Sequence, residues 1–147
     1  MVNNQRPLAP GFTLLELMVV VIIVGVIAAF AIPNYNKSMQ KAHERDMLVQ
    51  LTAINAANLL YRSYAGKYWD TTGGTQYLTA INSALSINII ANSGTTYDYR
   101  SANGSSYTAT ADWDSYTLEV TQAAIDAASV PPNPCCQTDN CLSVGDC

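Results

Sequence analysis

An α+β fold is what this 147-residue sequence predicts: one long N-terminal α-helix packed against a small antiparallel β-sheet, with a disulfide-stapled C-terminal tail. Three observations carry it. The run from Phe12 to Pro33 is apolar apart from Glu16, and the stretch from Asn34 to Tyr64 has neither glycine nor proline while repeating apolar residues every three or four positions. Short runs between Tyr97 and Val120 alternate apolar with polar residues, and Cys135, Cys136, Cys141 and Cys147 all fall in the last thirteen positions.

The helix is expected in two functional halves. Residues 12–33 are greasy on almost every side and long enough to cross a bilayer, so they need lipid or other helices all round. Residues 34–64 are amphipathic, with Met47, Leu51, Ile54, Asn58 and Tyr61 forming the stripe that covers one face of the sheet. A continuous helix from Phe12 to Tyr64 would be about 80 Å long, of which the hydrocarbon layer takes about 30 Å. Gly25 and Pro33 are its weak points, because glycine lacks packing and proline removes the hydrogen bond to the carbonyl of Ala29. A kink is expected near Pro33. Charges at Lys37, Lys41, Glu44, Arg45 and Asp46 read as a solvated face, and His43, the one histidine, as a surface residue.

Glu16 is the most informative residue. A carboxylate inside hydrocarbon costs a few kcal/mol and is usually retained with a partner. The segment before it, MVNNQRPLAPG, is short and polar and ends in Gly11. Cutting after Gly11 would create a new ammonium group on Phe12, able to compensate Glu16 within the chain or from a neighbouring copy. A conventional secretory signal, cleaved after Ala29, Phe30 and Ala31, gives neither Gly11 nor Glu16 a task, and neither does an uncleaved anchor.

These residues resemble a known family. Gly11, Phe12, Thr13, Leu14, Leu15, Glu16 and Leu17, followed by the Val/Ile/Ala stretch to Ile32 and Pro33, are similar to the class III leader junction of type IV pilins and pseudopilins. The resemblance covers about the first third of the chain. It implies a leader at 1–11, cleavage between Gly11 and Phe12 by a prepilin peptidase, N-methylation of Phe12, and a role for Glu16 in setting the register of an incoming subunit. It also implies that the segment from Gly25 to Pro33 loses helical order when the filament forms. The implied partners are other copies of the chain in a helical homopolymer, an inner-membrane assembly platform with a cytoplasmic ATPase, an outer-membrane secretin in a Gram-negative cell, and membrane lipid before assembly. The subunit would wait in the inner membrane and work in an extracellular filament or a periplasmic pseudopilus. A pilus subunit is the first reading, a minor pilin or a type II secretion pseudopilin the alternative, and a membrane-anchored extracytoplasmic binding module a more remote one. Adhesion, motility, DNA uptake, secretion and conduction all stay open as the filament's use.

Residues 65–147 are expected to form the globular head. Ala65 to Ser93 reads as a connecting loop, broken at Gly73 and Gly74, with a short helix from Leu78 to Leu85. Tyr68 and Trp69 are expected to cap the core. Three strands follow, centred on Tyr97 and Tyr99, on Tyr107, Ala109 and Ala111, and on Tyr116, Leu118 and Val120, with reversals at Asn103–Gly104 and Asp112–Ser115. The tail is expected to carry no strand and to be held by disulfides. A bond between the adjacent Cys135 and Cys136 is strained, which leaves Cys135–Cys141 with Cys136–Cys147, or Cys135–Cys147 with Cys136–Cys141.

Composition excludes other classes. The net charge is −4, and from Ala65 onward eight acids face only Lys67 and Arg100, which disfavours nonspecific nucleic-acid binding. With one histidine and no carboxylate pair in a recognisable setting, no enzyme, cofactor or metal site is expected. Asp112 with Asp114 and Asp139 with Asp146 match no calcium-loop spacing. The triplets Asn36-Lys37-Ser38 and Asn103-Gly104-Ser105 are assigned no glycan. The aromatic residues Phe12, Phe30, Tyr35, Tyr61 and Tyr64 have helical spacing, for which packing is the default.

Overall fold

A computed structural model of the chain describes residues 11–123, 125–126, 128 and 132–147. The expected leader, apart from Gly11, and Pro131 of the proline-rich tail lie outside these residues. The chain divides into two compact units, the first running through Ser38 and the second from Met39 to Cys147. Helix α1 spans Leu14–Ala65 and enters both. In the first unit every large apolar side chain from Phe12 to Ile32 is exposed.

The second unit is the head, and its fold is α+β as the sequence predicts. After α1 come β1 (Gln76–Tyr77), α2 (Leu78–Leu85), β2 (Thr95–Arg100), β3 (Thr108–Trp113), β4 (Tyr116–Thr121) and β5 (Cys135–Cys136). The sheet order is β1-β2-β3-β4-β5, and every neighbouring pair is antiparallel. The end of α1 is set by Gly66, whose φ of 75° suits a left-handed cap and whose N–H donates to the Arg62 carbonyl at 2.9 Å.

Register explains the core. Tyr97 and Tyr99 on β2 face Ala111 and Ala109 on β3, which in turn face Leu118 and Val120 on β4. All six are buried, and the small residues on the central strand leave room above the sheet for Met47, Leu51 and Ile54, each 0% exposed. Two asparagines in this helix face are buried with them. Asn55 Nδ2 donates to the Tyr107 hydroxyl at 2.8 Å and to the Thr121 carbonyl at 2.9 Å, and the Tyr99 hydroxyl donates to Asn58 Oδ1 at 3.1 Å. Asn58 Nδ2 donates to the Ile54 carbonyl of its own helix at 3.4 Å, so both buried amides are hydrogen-bonded. Burial pushes the Tyr99 and Tyr107 hydroxyls well above their usual range, so both stay neutral.

Tyr68 and Trp69 extend the core. Tyr68 packs edge-on against Tyr107 at 5.0 Å between ring centroids, and Trp69 stacks on Tyr99 at 4.9 Å. Gly104 makes the β2–β3 reversal possible: its φ is 73°, and a Cβ there would lie 2.7 Å from the Tyr68 carbonyl oxygen. The β3–β4 reversal is the tight turn at Asp114 and Ser115, with Asp114 at a φ of 54°.

Four expectations need correction. Five strands form rather than three, since the connecting segment contributes β1, which pairs Gln76 and Tyr77 with Tyr99 and Asp98. The tail is not strandless: β5 pairs Cys136 with Leu118 and Cys135 with Glu119, because β4 has a free edge that needs a partner. His43 is half-buried and stacks on Trp113 at 4.0 Å, so it serves as a flat packing surface. Glu44 is no part of a solvated face. It is 0% exposed, and its carboxylate accepts the Leu142 N–H at 2.7 Å, the Ser143 hydroxyl, and Gln40 Nε2 at 3.1 Å. Gln40 Nε2 also donates to the Asn140 carbonyl at 3.0 Å. A carboxylate can be buried here because the tail supplies the donors water would otherwise give.

Replacing Glu44 with Ala removes the charged acceptor shared by the Leu142 N–H, the Ser143 hydroxyl and Gln40 Nε2, and should lower head stability by about 1–3 kcal/mol. The check is urea unfolding of the detergent-solubilised chain, together with faster proteolysis of the tail.

A second prediction concerns Asp98, opposite Thr110 on the outer face of the sheet. Burial, reinforced by the Asp112 charge, raises its carboxyl above the usual range, and its Oδ1 finds no hydrogen-bond partner among the described residues. A raised folded-state value means the native form binds the proton more tightly, so this group's stabilisation falls as pH rises through that window. Asp98→Asn should therefore unfold at higher urea than the parent at pH 7, and the advantage should shrink as pH drops toward 4.

Candidate functional site: the apolar helix and its first turn

Gly11, Phe12 and Thr13 precede the helix, and Thr13 is its N-cap. The Thr13 side-chain oxygen accepts the Glu16 N–H at 3.2 Å, and its carbonyl accepts the Leu17 N–H at 3.2 Å. Thr13-Leu14-Leu15-Glu16 thus has the spacing of a capping box, in which a hydroxyl residue and a glutamate three positions on serve the free N–H groups of the first turn. The position also places a negative carboxylate at the positive end of the helix dipole. In the sequence Thr13 is legible only as part of a family pattern; the T-x-x-E spacing is the signal that gives it a physical task.

Beyond the first turn the helix presents hydrocarbon in every direction. Exposure is 82% at Phe12, 47% at Val19 and 73% at Phe30, with the intervening large side chains also exposed. An 18-residue window in α1 reaches a mean hydropathy of 2.9 with none of it buried inside the chain. A cylinder of this kind is stable only in lipid or among other apolar helices. Covering some fifteen large side chains at about 2 kcal/mol each gives a gross gain near 30 kcal/mol.

Gly25 stands in open space: a Cβ added there would meet nothing within 4 Å. Pro33 lies inside α1. On its C-terminal side, Asn34 Nδ2 donates to the Phe30 carbonyl at 3.3 Å and the Ser38 hydroxyl donates to the Asn34 carbonyl at 2.9 Å, so polar side chains bond backbone carbonyls on both sides of the proline.

The cysteines adopt one of the two pairings the sequence leaves open, Cys135 with Cys147 and Cys136 with Cys141. The smaller ring holds Cys141 directly before Leu142 and Ser143, the two residues that bond Glu44. Among the described residues, no group of three or more His, Cys, Asp or Glu is placed to hold a metal ion.

Residues 9–32 match the family described as the prokaryotic N-terminal methylation motif. The chain is 38% identical over 74 residues to the type II secretion system core protein G of Klebsiella pneumoniae, covering 50% of this chain and 53% of the relative. It is 38% identical over 69 residues to the type IV major pilin protein PilA of Myxococcus xanthus, covering 47% and 31%. It is 37% identical over 68 residues to the core protein G of Vibrio cholerae, covering 46% and 47%. The chain spans about half, or less, of the length of these curated relatives. No solved structure matches it significantly.

The exposed apolar helix, long and apolar enough to cross a membrane, begins in a capped, acidic first turn that lies within the matched methylation motif. Over about half its length the chain is similar to type II secretion core proteins G and to a type IV major pilin.

Proposed function

We propose that the chain is a structural subunit of a pilus-like filament, processed between Gly11 and Phe12, methylated on Phe12, and assembled from the inner membrane through residues 12–33. The observation that carries this reading is the apolar cylinder from Phe12 to Ile32, exposed on all sides, with one carboxylate in its first turn.

The mechanism is mechanical rather than catalytic. In the membrane, lipid covers the cylinder; in the filament, the same segments of other copies cover it, so the apolar surface passes between two dry environments without meeting water. Glu16 supplies direction and register. Its carboxylate pairs with the Phe12 ammonium of a neighbouring subunit, and because a misplaced subunit would leave both charges unpaired in hydrocarbon, one axial position is strongly preferred. Gly25 and Pro33 weaken the helix between them and let that segment unwind and lengthen under load. A prepilin peptidase, an inner-membrane platform driven by a cytoplasmic ATPase and, in a Gram-negative cell, an outer-membrane secretin complete the pathway.

A second reading within the family, a type II secretion pseudopilin in a periplasmic pseudopilus, is favoured by the similarity to core protein G of two Gram-negative bacteria. Long surface fibres separate the pilus from it.

Mass spectrometry of the mature subunit should find methylated Phe12 as its first residue. Ile32 there would instead mark a secreted binding module, and Met1 a simple anchor. Glu16→Ala should reduce recovered filament by about tenfold or more, as a pairing worth at least about 1.4 kcal/mol is lost. An unchanged yield would falsify the register role of Glu16.

A further inference from the structure

The outer face of the sheet carries three acids, and two of them have partners. The Thr117 hydroxyl donates to Asp112 Oδ1, and Gln137 Nε2 donates to the Glu119 carboxylate. Asp98 is the third. Thr110 stands directly across from it on β3, yet Asp98 Oδ1 has no hydrogen-bond partner among the described residues. Arg100, two residues along β2 and so on the same face, makes no ion pair with it: the ion pair found among the described residues joins Lys67 and Asp70.

Register gathers polar and aromatic side chains around this acid. Tyr77 pairs with Asp98 and Asp98 with Thr110, while Arg100 pairs with Thr108 in the next row. Cross-strand partners share a face, so these five lie together on the side of the sheet opposite the buried core. Thr75, just before β1, lines an open cavity of about 290 Å³ with Asp98, Arg100, Thr108 and Thr110. Tyr77 stays 69% exposed on the same face. Neighbouring strands lie about 4.8 Å apart, so three of them offer a patch about 10 Å wide, room for one sugar ring.

The mix of groups selects the ligand. A carboxylate accepts, a guanidinium donates and threonine hydroxyls do either, which matches a molecule with many hydroxyls. An aromatic ring open to solvent offers a flat apolar surface to the C–H face of a sugar. A bare cation fits poorly, because Arg100 repels it and burial, reinforced by the Asp112 charge, disfavours the ionised form of Asp98. Asp98 also costs the fold stability that a neutral residue would not, the trade expected where a side chain serves binding rather than packing. Its carboxyl torsion is soft, so a small rotation turns either oxygen toward a ligand in the cavity.

We propose that Thr75, Tyr77, Asp98, Arg100, Thr108 and Thr110 form a saccharide site on the head, in which a neutral hexopyranose stacks on the Tyr77 ring and donates a hydroxyl hydrogen bond to the Asp98 carboxyl group. Arg100 and the threonines bond the remaining ring substituents. The site lies wholly within the head, so it stands or falls independently of filament assembly.

Saturation-transfer NMR on the full-length chain, solubilised in a detergent without a sugar headgroup, tests this with the methyl glycosides of glucose, galactose, mannose and N-acetylglucosamine. At least one should bind with a dissociation constant of about 1 mM, as suits a shallow open site. Tyr77→Ala and Asp98→Ala should each weaken that binding about tenfold or more, whereas Tyr64→Ala, at an exposed tyrosine outside the sheet, should leave it unchanged. Urea unfolding checks that the variants keep a folded head, as expected of an exposed ring and of an acid that lacks a partner. No transfer to any of the four glycosides would overturn the site, and so would binding that survives both substitutions. Binding of glycine or ethylammonium in place of the sugars would overturn it too, by showing that Asp98 and Arg100 read charge.

Discussion

One constraint governs this molecule: a helix with more apolar surface than its own fold can hide. The sheet takes Met47, Leu51 and Ile54, and among the described residues the large apolar side chains from Phe12 to Ile32 stay exposed. The head can be small because it has to bury only one stripe. One element thereby carries two kinds of surface, since α1 supplies the head's core along one stripe and leaves its N-terminal part exposed and apolar.

The polar residues follow from the same constraint. Where α1 meets the sheet, Asn55 and Asn58 bond the hydroxyls of Tyr107 and Tyr99 in the core. Where it meets the tail, Glu44 gathers a backbone N–H and a hydroxyl from residues just past a disulfide. Where it begins, the Thr13 side-chain oxygen accepts the Glu16 N–H, one of the free donors of the first turn. Each polar group sits where a particular backbone or ring atom lacks a partner.

Much of this is legible in the sequence, and the parts that are not share a cause. Period-four and period-two patterns locate α1, α2 and strands β2 to β4, because burial on one face leaves a direct trace in residue order. The stripe through Met47, Leu51, Ile54 and Asn58 is readable for that reason. Glu44 is not: its burial depends on Leu142 and Ser143, nearly a hundred residues away, and no local pattern announces a distant donor. The two-residue strands β1 and β5 escape notice because a pair of residues has no period. His43 looks solvated in the sequence because Trp113, which it stacks on, arrives through the sheet. At the functional site, Glu16 and Gly11 stand out by chemical contrast with their neighbours.

Strand β5 has one more consequence. A sheet margin with unpaired amides is an open invitation to any extended chain, and proteins crowded shoulder to shoulder offer each other many such margins. Here that flank of β4 is closed by Cys135 and Cys136, both locked by covalent bonds into rings. Short as it is, β5 occupies the place that a stranger's strand would take.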